Sequence, residues 1–329
     1  MLSRRAFIAV VASASAIGPL AAATDLPAAQ MLSATDVHVP GYPTVEAIRW
    51  IGDNLLRETE GRFGLRLYHS GQLGRESDSI DMARFGALDI TRVSGAALNN
   101  PFPATRVLGL PYVFDSTAHL RRCVDGSVGA QILAGFAARD LIGLALYDSG
   151  TRCLYNTQRA IHEPGDLRGL KIRVPPSDIF MATVRAFGAN PTPLPYGEVF
   201  SALQTRLIDG AENNWQSFHT TRQFEVARHW SQSAHSFLPE ALLLSKRRYD
   251  ALPPRDRDLL VDIARRSVGY MRELWDRSET AARDYVIAHG VTLNEVDLAA
   301  FQRAAAPVVD RFRTEPLTDA LYRDIRALA

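Results

Sequence analysis

The sequence predicts an α/β protein built in two lobes with a cleft between them. The chain has 329 residues, which is long for a single hydrophobic core. Strand-like and helix-like patterns alternate along it, and "MARFGALDITR" (82–92) resembles "ALQTRLIDGAE" (202–212) as a helix followed at once by a strand. Any α/β protein repeats such units, so this similarity alone leaves the two-lobe division open. A later helical pattern of about 30 residues would reach about 45 Å, enough to run from one lobe to the other.

The first 23 residues, "MLSRRAFIAVVASASAIGPLAAA", have the layout of a secretory signal peptide. Arg4 and Arg5 precede an apolar, alanine-rich run that ends in an A-x-A site. The arginine pair is also typical of twin-arginine export. A membrane anchor is the alternative, but a Gly-Pro pair interrupts the run, which is short for a bilayer span. We therefore expect cleavage after Ala23 and a periplasmic mature protein.

The first half of the mature chain predicts a strand, a helix, a strand and a second helix-strand unit. "LSATDVHVPG" predicts a short strand that ends in a turn. "PTVEAIRWIGDNLLRETEG" predicts an amphipathic helix whose apolar stripe runs from Val45 to Leu55 and which stops at Gly61. "RFGLRLYHS" alternates as a strand does. "SIDMARFGALDITRVSG" predicts a helix, a tight turn at Gly86 and a strand over 88–93.

The second half predicts the same kinds of element. "PPSDIFMATVRAFGAN" predicts a helix that starts at Ser177 and ends before Gly188. "YGEVFSALQTRLIDGAENN" again predicts a helix, a turn and a short strand. Pro253 and Pro254 mark the start of the long helical pattern. "LAAFQRAAAPVVDRFRTE" predicts a shorter helix near the C terminus.

Charge and motif content exclude several classes of function. The whole chain has a formal net charge of +1, and loss of Arg4 and Arg5 leaves 35 of its 37 Lys and Arg against 36 Asp and Glu, a net charge of −1. With no basic stripe, binding to nucleic acid is not expected. The sequence holds no zinc-protease, nucleophile-elbow, P-loop or dinucleotide motif. We therefore expect a monomer that needs neither a cofactor nor a metal.

The two cysteines, Cys123 and Cys153, permit one disulfide in an oxidising compartment. Their separation in sequence does not show whether they approach each other. Without a Cys-x-x-Cys spacing they do not indicate a metal site.

Three stretches carry residues suited to binding an anion: "DSGTRCLYN" (148–156), "DLRGLKIRVPPSD" (166–178) and "IDGAENNWQSF" (208–218). Arg173 alternates with Ile172 and Val174 on a short strand, so it lies either on a solvated edge or at the strand end where α/β proteins bind ligands. Arg152 follows a turn. An arginine fork matches a carboxylate and keeps its charge.

Paired amides suit an uncharged polar ligand group. Asn213 and Asn214 end a predicted strand, and Asn99 and Asn100 lie in the loop "VSGAALNNPFP" (93–103). Such amides offer both donors and acceptors to hydroxyl groups. Turn formation is the alternative role for each pair.

Five stretches resemble one known family: "YHSGQLGRE", "GTRCLYN", "DLRGLKIRVPPSD", "GANPTPLPYGEVFSALQTRLIDGAENN" and "SQSAHSFLPE". They resemble the substrate-binding proteins of tripartite ATP-independent periplasmic (TRAP) transporters of the DctP type, and the resemblance covers the chain from about residue 30 to its end. It implies a two-lobe periplasmic binding protein fold with a long lobe-spanning helix. The expected first lobe holds 24–149 and about 239–275. The expected second lobe holds 150–238 and about 276–329, with the C-terminal helices.

The resemblance also assigns binding residues. Arg173 falls on the family's signature arginine, which pairs with the substrate carboxylate, and Asn213 falls on the asparagine that supports this pair. Arg152 falls on a second family arginine. Glu76, after "QLG", falls on a polar residue that often reaches the far end of the ligand.

Residue types around these positions are most similar to the branch that binds hexuronates such as glucuronate or galacturonate. A sugar acid needs neutral hydrogen-bond partners beyond the arginine pair. The candidates for the hydroxyl groups are Glu76, His38, Asn99, Asn100, Asn214 and His235. A C4-dicarboxylate or another hydroxy or keto acid is the alternative ligand, with Arg92 as a second cationic site.

The resemblance implies a binding protein, not an enzyme. The two lobes would close on the acid, and the closed form would deliver it to the membrane subunits of a permease. One alternative is a periplasmic enzyme acting on sugar acids with Glu76 and His235 as acid and base. A sensor protein as an additional partner is a second alternative.

Overall fold

The structure is a computed structural model that describes residues 29–329. The predicted signal peptide lies outside the described residues. The strands are β1 (Gln30–Thr35), β2 (Phe63–Tyr68), β3 (Ile90–Ser94), β4 (Leu141–Tyr147), β5 (Thr151–Asn156), β6 (Lys171–Val174), β7 (Asn190–Pro193), β8 (Gly210–Asn213), β9 (His229–Phe237), β10 (Glu240–Ser245) and β11 (Thr292–Asn294).

Helices cover both sheets and join their strands. They are α1 (Pro43–Glu58), α2 (Glu76–Phe85), α3 (Gly95–Asn99), α4 (Thr117–Asp125), α5 (Ser127–Gly135), α6 (Asp178–Ala186), α7 (Val199–Gln204), α8 (Trp215–Thr220), α9 (Lys246–Ala251), α10 (Pro254–Ala288), α11 (Leu298–Arg313) and α12 (Pro316–Ala327). Short 3-10 helices span Pro103–Gly109, Phe136–Arg139, Pro164–Leu167, Tyr196–Glu198 and Gln223–Glu225.

Each lobe is built on one sheet, as the sequence predicts. The first sheet has the strand order β2-β1-β3-β10-β4, and the second has β11-β9-β5-β8-β6-β7. In each sheet three strands run parallel (β2-β1-β3 and β7-β6-β8), and the next strand (β10 or β5) pairs antiparallel. The apolar residues of α1 at Val45, Ile48, Ile51 and Leu55 are buried against the first sheet.

The repeated helix-strand unit occupies equivalent places in the two lobes. The carboxylate of Asp89, just before β3, accepts a hydrogen bond from the Ser33 backbone N–H of β1 at 2.7 Å. The carboxylate of Asp209, just before β8, accepts one from the Lys171 backbone N–H of β6 at the same distance. Both aspartates therefore tie their strand to the central parallel strand, so the sequence similarity reflects a structural repeat.

Helix α10 spans both lobes. Its 35 residues extend about 52 Å at 1.5 Å per residue. Met271 and Trp275 are buried in the core of the first lobe, whereas Ala282 and Val286 are buried in that of the second. The predicted long helix is confirmed.

The last two helices pack on different lobes. Phe301 of α11 packs edge-on against Phe187 of the second lobe, with ring centroids 4.9 Å apart. Leu321 and Ile325 of α12 are instead buried in the core of the first lobe. The structure corrects the predicted division, which placed all residues from about 276 to 329 in the second lobe.

The chain passes between the lobes four times within residues 29–329. It does so from β4 to β5, from β9 to β10, along α10, and from α11 to α12. Cys123 and Cys153 are both buried and free, Cys123 in the core of the first lobe and Cys153 in that of the second. The disulfide that the cysteine count permits is therefore not formed.

Candidate functional site

A cavity lies between the lobes, where the parallel strands of both sheets end. This is the edge at which α/β sheets bind ligands. Its free space, about 30 Å³, holds only about two or three water molecules, because charged side chains from both lobes fold towards each other. It is lined by Val37, His38, Glu76, Arg92, Ser94, Arg152, Arg173, Pro175, Tyr196, Asn213, Ser217 and Glu240.

Arg173 enters the cavity from β6. Its neighbours Ile172 and Val174 are buried in the core of the second lobe, so strand alternation turns the arginine to the opposite face. The side chain is buried, and its Nε and Nη2 donate to the Leu194 carbonyl at 2.9 and 2.7 Å. Burial lowers the pKa of this guanidinium and outweighs the nearby Glu212 charge, which acts to raise it. Among the described residues it forms no salt bridge.

Arg152, by contrast, is already neutralised within the protein. Its Nε and Nη2 donate to the two carboxylate oxygens of Glu212 at 2.6 and 2.8 Å, across neighbouring strands β5 and β8. Its Nη1 donates to Asn213 Oδ1 at 2.8 Å. Burial works to raise the pKa of Glu212, but Arg152 and His235 outweigh it and bring that pKa down to about 2. This bidentate pair positions Asn213 at the cavity wall.

Arg92 is surrounded by carboxylates of the first lobe. It is 1% exposed, and its Nη2 donates to Asp36. Its Nη1 lies 3.2 Å from both Glu76 Oε1 and Glu240 Oε2. Burial works to raise the pKa of Asp36, but Arg92 and His38 outweigh it, so this pKa falls below its usual range. Arg92 and Asp36 therefore form a charged pair.

The other two carboxyl groups near Arg92 are held less firmly in the ionised form. Burial raises the pKa of Glu240 to about 8, and the charges of Asp36 and Glu76 act in the same direction. Burial also raises the pKa of Glu76, although Arg92 and the Ser94 backbone N–H oppose that change. Glu240 is consequently mostly protonated at neutral pH.

His38 completes the wall of the first lobe. Its ring stacks on Tyr42 with centroids 3.6 Å apart and meets the edge of Tyr196, from the second lobe, at 4.9 Å. Its Nδ1 lies 3.0 Å from Asp36 Oδ1. Burial and the Arg92 charge lower the pKa of His38 to about 4, so the ring is neutral at neutral pH and contributes no charge to the cavity.

The structure brings six of the predicted binding residues together at the cavity: Arg173, Arg152, Asn213, Glu76, His38 and Arg92. Asn99 and Asn100 are not among the lining residues. The Asn99 amide lies 3.1 Å from the Ser177 hydroxyl, and Asn100 Oδ1 accepts from the Asp178 backbone N–H at 3.3 Å. Both partners belong to the second lobe, so this amide pair bridges the lobes instead of facing a ligand.

Asn214 and His235 also lie outside the cavity lining. Asn214 caps α8: its Oδ1 accepts from the Ser217 backbone N–H and its Nδ2 donates to the Ser149 carbonyl, both at 2.7 Å. Both ends of the amide are thus engaged in holding the start of α8 and the Ser149 turn, away from the cavity lining. His235 lies against Glu212, with its Nε2 3.4 Å from Glu212 Oε2.

The sequence analysis missed Glu240 and Tyr196. Glu240 opens β10 directly after the chain returns from the second lobe, and Tyr196 follows β7. Glu240 Oε2 lies 3.2 Å from Arg92 Nη1 but, like the buried Tyr196 hydroxyl, forms no hydrogen bond with any of the residues 29–329. One signal was present in the sequence, the lone glutamate at the start of the apolar strand "EALLLS". Burying a glutamate costs free energy unless the carboxyl group has a partner, so its position indicates a specific role.

Within residues 29–329, no group of three or more His, Cys, Asp or Glu side chains is arranged to hold a metal ion. No helix in this part of the chain is long and apolar enough to cross a bilayer.

Comparisons with known proteins agree with this architecture. A solute-binding protein of Chromohalobacter salexigens is 36% identical over 293 residues, which are 88% of this chain and 87% of the relative. A TRAP periplasmic solute-binding protein of Xanthobacter autotrophicus, solved with bound β-D-galacturonate, is 42% identical with a TM-score of 0.88, covering 90% of this chain and 99% of the other.

A second solved structure, a TRAP periplasmic solute-binding protein of Chromohalobacter salexigens with bound D-glucuronate, is 34% identical with a TM-score of 0.88 and covers 91% of this chain and 100% of the other. The family model for DctP, described as bacterial extracellular solute-binding protein, family 7, matches residues 35–315. The chain therefore belongs to the DctP family of bacterial extracellular solute-binding proteins.

Proposed function

We propose that this protein captures a hexuronate, such as galacturonate or glucuronate, in the cavity between its lobes and delivers it to the membrane subunits of a TRAP permease. The proposal rests on the burial of Arg173 without a carboxylate partner among the described residues. A buried guanidinium that forms no salt bridge with the described residues is costly. An acid that places its carboxylate on Arg173 supplies the missing counter-charge.

The remaining lining residues support a polyhydroxylated acid. Asn213, Ser94 and Ser217 are neutral hydrogen-bonding groups, and Tyr196 and Glu240 each carry a buried polar atom that forms no hydrogen bond with the described residues. The solved relatives with bound galacturonate and glucuronate agree with this choice. Among the described lining residues, no second arginine is free of a carboxylate partner, which argues against a C4-dicarboxylate.

Capture requires the lobes to part and then close. The free space of about 30 Å³ is too small for a six-carbon acid, and contacts across the mouth hold the lobes together. Arg75 Nη2 of the first lobe donates to Glu198 of the second at 2.9 Å, and Tyr42 Oη lies 3.1 Å from Ser217 Oγ. Closure excludes water and strengthens the ion pair on Arg173. The ligand drives closure only if it binds the closed state more tightly.

We propose binding without turnover. The enzyme hypothesis pairs Glu76 with His235, but Glu76 lies beside Arg92, whereas His235 lies outside the cavity lining against Glu212. No acid-base pair of these two side chains faces a common ligand position. A periplasmic location follows from the predicted signal peptide and from the family.

The test is a binding and turnover measurement on the mature protein. Thermal unfolding is screened against galacturonate, glucuronate, malate, succinate and 2-oxoglutarate, because a tight ligand raises the melting temperature by mass action. Calorimetric titration then gives the stoichiometry, and mass spectrometry examines the recovered ligand. We expect one unchanged hexuronate per chain. A chemically altered acid, or a preference for the dicarboxylates, contradicts the proposal.

A further inference from the structure

We infer that the group of acidic side chains around Arg92 restricts the protein to acids with a single carboxylate and excludes sugar diacids. The inference rests on the proposed function and deepens it, because it names the ligand class by its charge. We call Asp36, Glu76 and Glu240 the acidic end of the cavity, as all three lie against Arg92 in the first lobe. Glu76 and Glu240 line the cavity, whereas the fully buried Asp36 does not.

Only one arginine of the described cavity lining is available to bind a ligand carboxylate. The cavity holds three guanidiniums, those of Arg92, Arg152 and Arg173. Arg152 is engaged by Glu212 through two hydrogen bonds, and Arg92 is engaged by the acidic end. Among the residues that the structure describes, only Arg173 faces the cavity without a carboxylate. One available cation matches one ligand carboxylate.

A second ligand carboxylate at Arg92 would lie close to carboxyl groups of the protein. Both Nη atoms of Arg92 are directed at carboxyl oxygens, and its side chain is fully enclosed. A ligand carboxylate reaches Arg92 only by displacing Glu76 or Glu240, or by becoming a fourth acidic group around one arginine. Asp36 supplies a like charge at neutral pH, and Glu240 adds another as it ionises above about pH 8. Close approach of like charges weakens binding, and such a repulsive element is a known means of selectivity.

The other groups that face the acidic end do not cancel this repulsion. His38 is neutral because burial keeps its pKa near 4. Tyr42 and Tyr196 are uncharged phenols whose pKa values are raised by burial. Two other cations act on these carboxyl groups, Arg152 on Glu240 and Arg173 on Glu76. The guanidinium of Arg152 is held by Glu212, and that of Arg173 is the proposed partner of the first ligand carboxylate.

Glu240 and Tyr196 are suited to form hydrogen bonds with ligand hydroxyl groups. Glu240 Oε2 and the Tyr196 hydroxyl are buried and form no hydrogen bond within residues 29–329. A neutral or ionised carboxyl group and a phenol both form hydrogen bonds with a sugar hydroxyl. The acidic end therefore favours an uncharged, hydroxylated end of the ligand and opposes a charged one.

The experiment separates the effect of charge from that of shape. Galacturonate, galactonate and galactarate are titrated calorimetrically at about pH 7 and at about pH 9, where Glu240 is mostly ionised, into wild type, Glu240→Gln and the Glu76→Gln/Glu240→Gln double variant. Galactonate and galactarate are both open-chain acids and differ only in the second carboxylate. Glu273→Gln, on an exposed turn of α10, is the matched control, and thermal unfolding verifies that each variant is folded.

In wild type we expect galactarate to bind at least about 100-fold more weakly than galacturonate and at least about tenfold more weakly than galactonate. In the double variant we expect the affinity for galactarate relative to galacturonate to rise at least about tenfold, with no rise in Glu273→Gln. The inference is overturned if wild type binds galactarate as tightly as galacturonate, if galactonate binds as weakly as galactarate, or if a folded double variant gains nothing for galactarate. If the double variant does not fold, Glu240→Gln alone decides by the same criterion at about pH 9, where the wild-type Glu240 carboxyl is mostly ionised. Wild type that fails to bind galacturonate would instead refute the proposed function.

Discussion

Replacing Arg173 by alanine is the most direct perturbation of the site. The side chain is buried, and no carboxylate of the described residues pairs with it. Removing one partner of a desolvated charge pair typically costs about 3–5 kcal/mol, so the dissociation constant for galacturonate should rise roughly 150- to 5,000-fold.

The effect on the free protein should be much smaller. Arg173→Ala removes two hydrogen bonds to the Leu194 carbonyl, each worth about 1 kcal/mol. It also removes a buried cation whose pKa burial already lowers, and this relief offsets the loss. We expect the free energy of unfolding without ligand to change by no more than about 1 kcal/mol.

Two measurements on each variant distinguish these effects: calorimetric titration with galacturonate, and urea unfolding without ligand. Arg185→Ala, at an exposed position of helix α6 in the same lobe, is the matched control and should leave both values unchanged. If the dissociation constant of Arg173→Ala for galacturonate is within about fivefold of the wild-type value, Arg173 does not bind the ligand carboxylate and its proposed role is refuted.

Three further predictions concern neighbouring features. Arg152→Ala should lower the free energy of unfolding by about 3–5 kcal/mol in urea titrations, because Glu212 is left buried and unpaired; an unchanged midpoint would contradict this. Because burial raises the pKa of Glu240 to about 8, ionisation above that pH repels the ligand. Affinity should therefore fall between about pH 7 and pH 9 in wild type but not in Glu240→Gln. Reducing agent should leave the melting temperature unchanged, since Cys123 and Cys153 are free; a decrease would indicate a bridge.

Much of the fold follows from local sequence signals. Each of these signals concerns a single helix or turn. They are the apolar stripe of α1 from Val45 to Leu55, Gly86 with its positive φ of 80°, and the two prolines at the start of α10. The position of α12 does not follow from such signals. Its apolar residues Leu321 and Ile325 predict an amphipathic helix, but pattern alone does not show which lobe covers that face.

The site was predictable in part for a similar reason. Strand alternation and family resemblance both indicate Arg173, whereas family resemblance alone indicates Arg152, and the structure has both in the cavity lining. Asn99 and Asn214 have side chains suited to ligand binding, but each forms a hydrogen bond with a residue distant in sequence, Ser177 and Ser149 respectively. Glu240 was missed because its importance comes from Arg92, which lies on a neighbouring strand far away in the chain.

The four connections between the lobes determine how a ligand enters. A helix such as α10 does not stretch, so the lobes cannot simply separate along it. They can turn about the two strand crossings, β4 to β5 and β9 to β10, which lie on the same side of both sheets. Arg75 and Glu198 follow β2 and β7, at the opposite edges. For a rotation about the crossings we therefore expect a wider gap at the Arg75–Glu198 side than beside the crossings, which makes that side the expected entrance to the cavity.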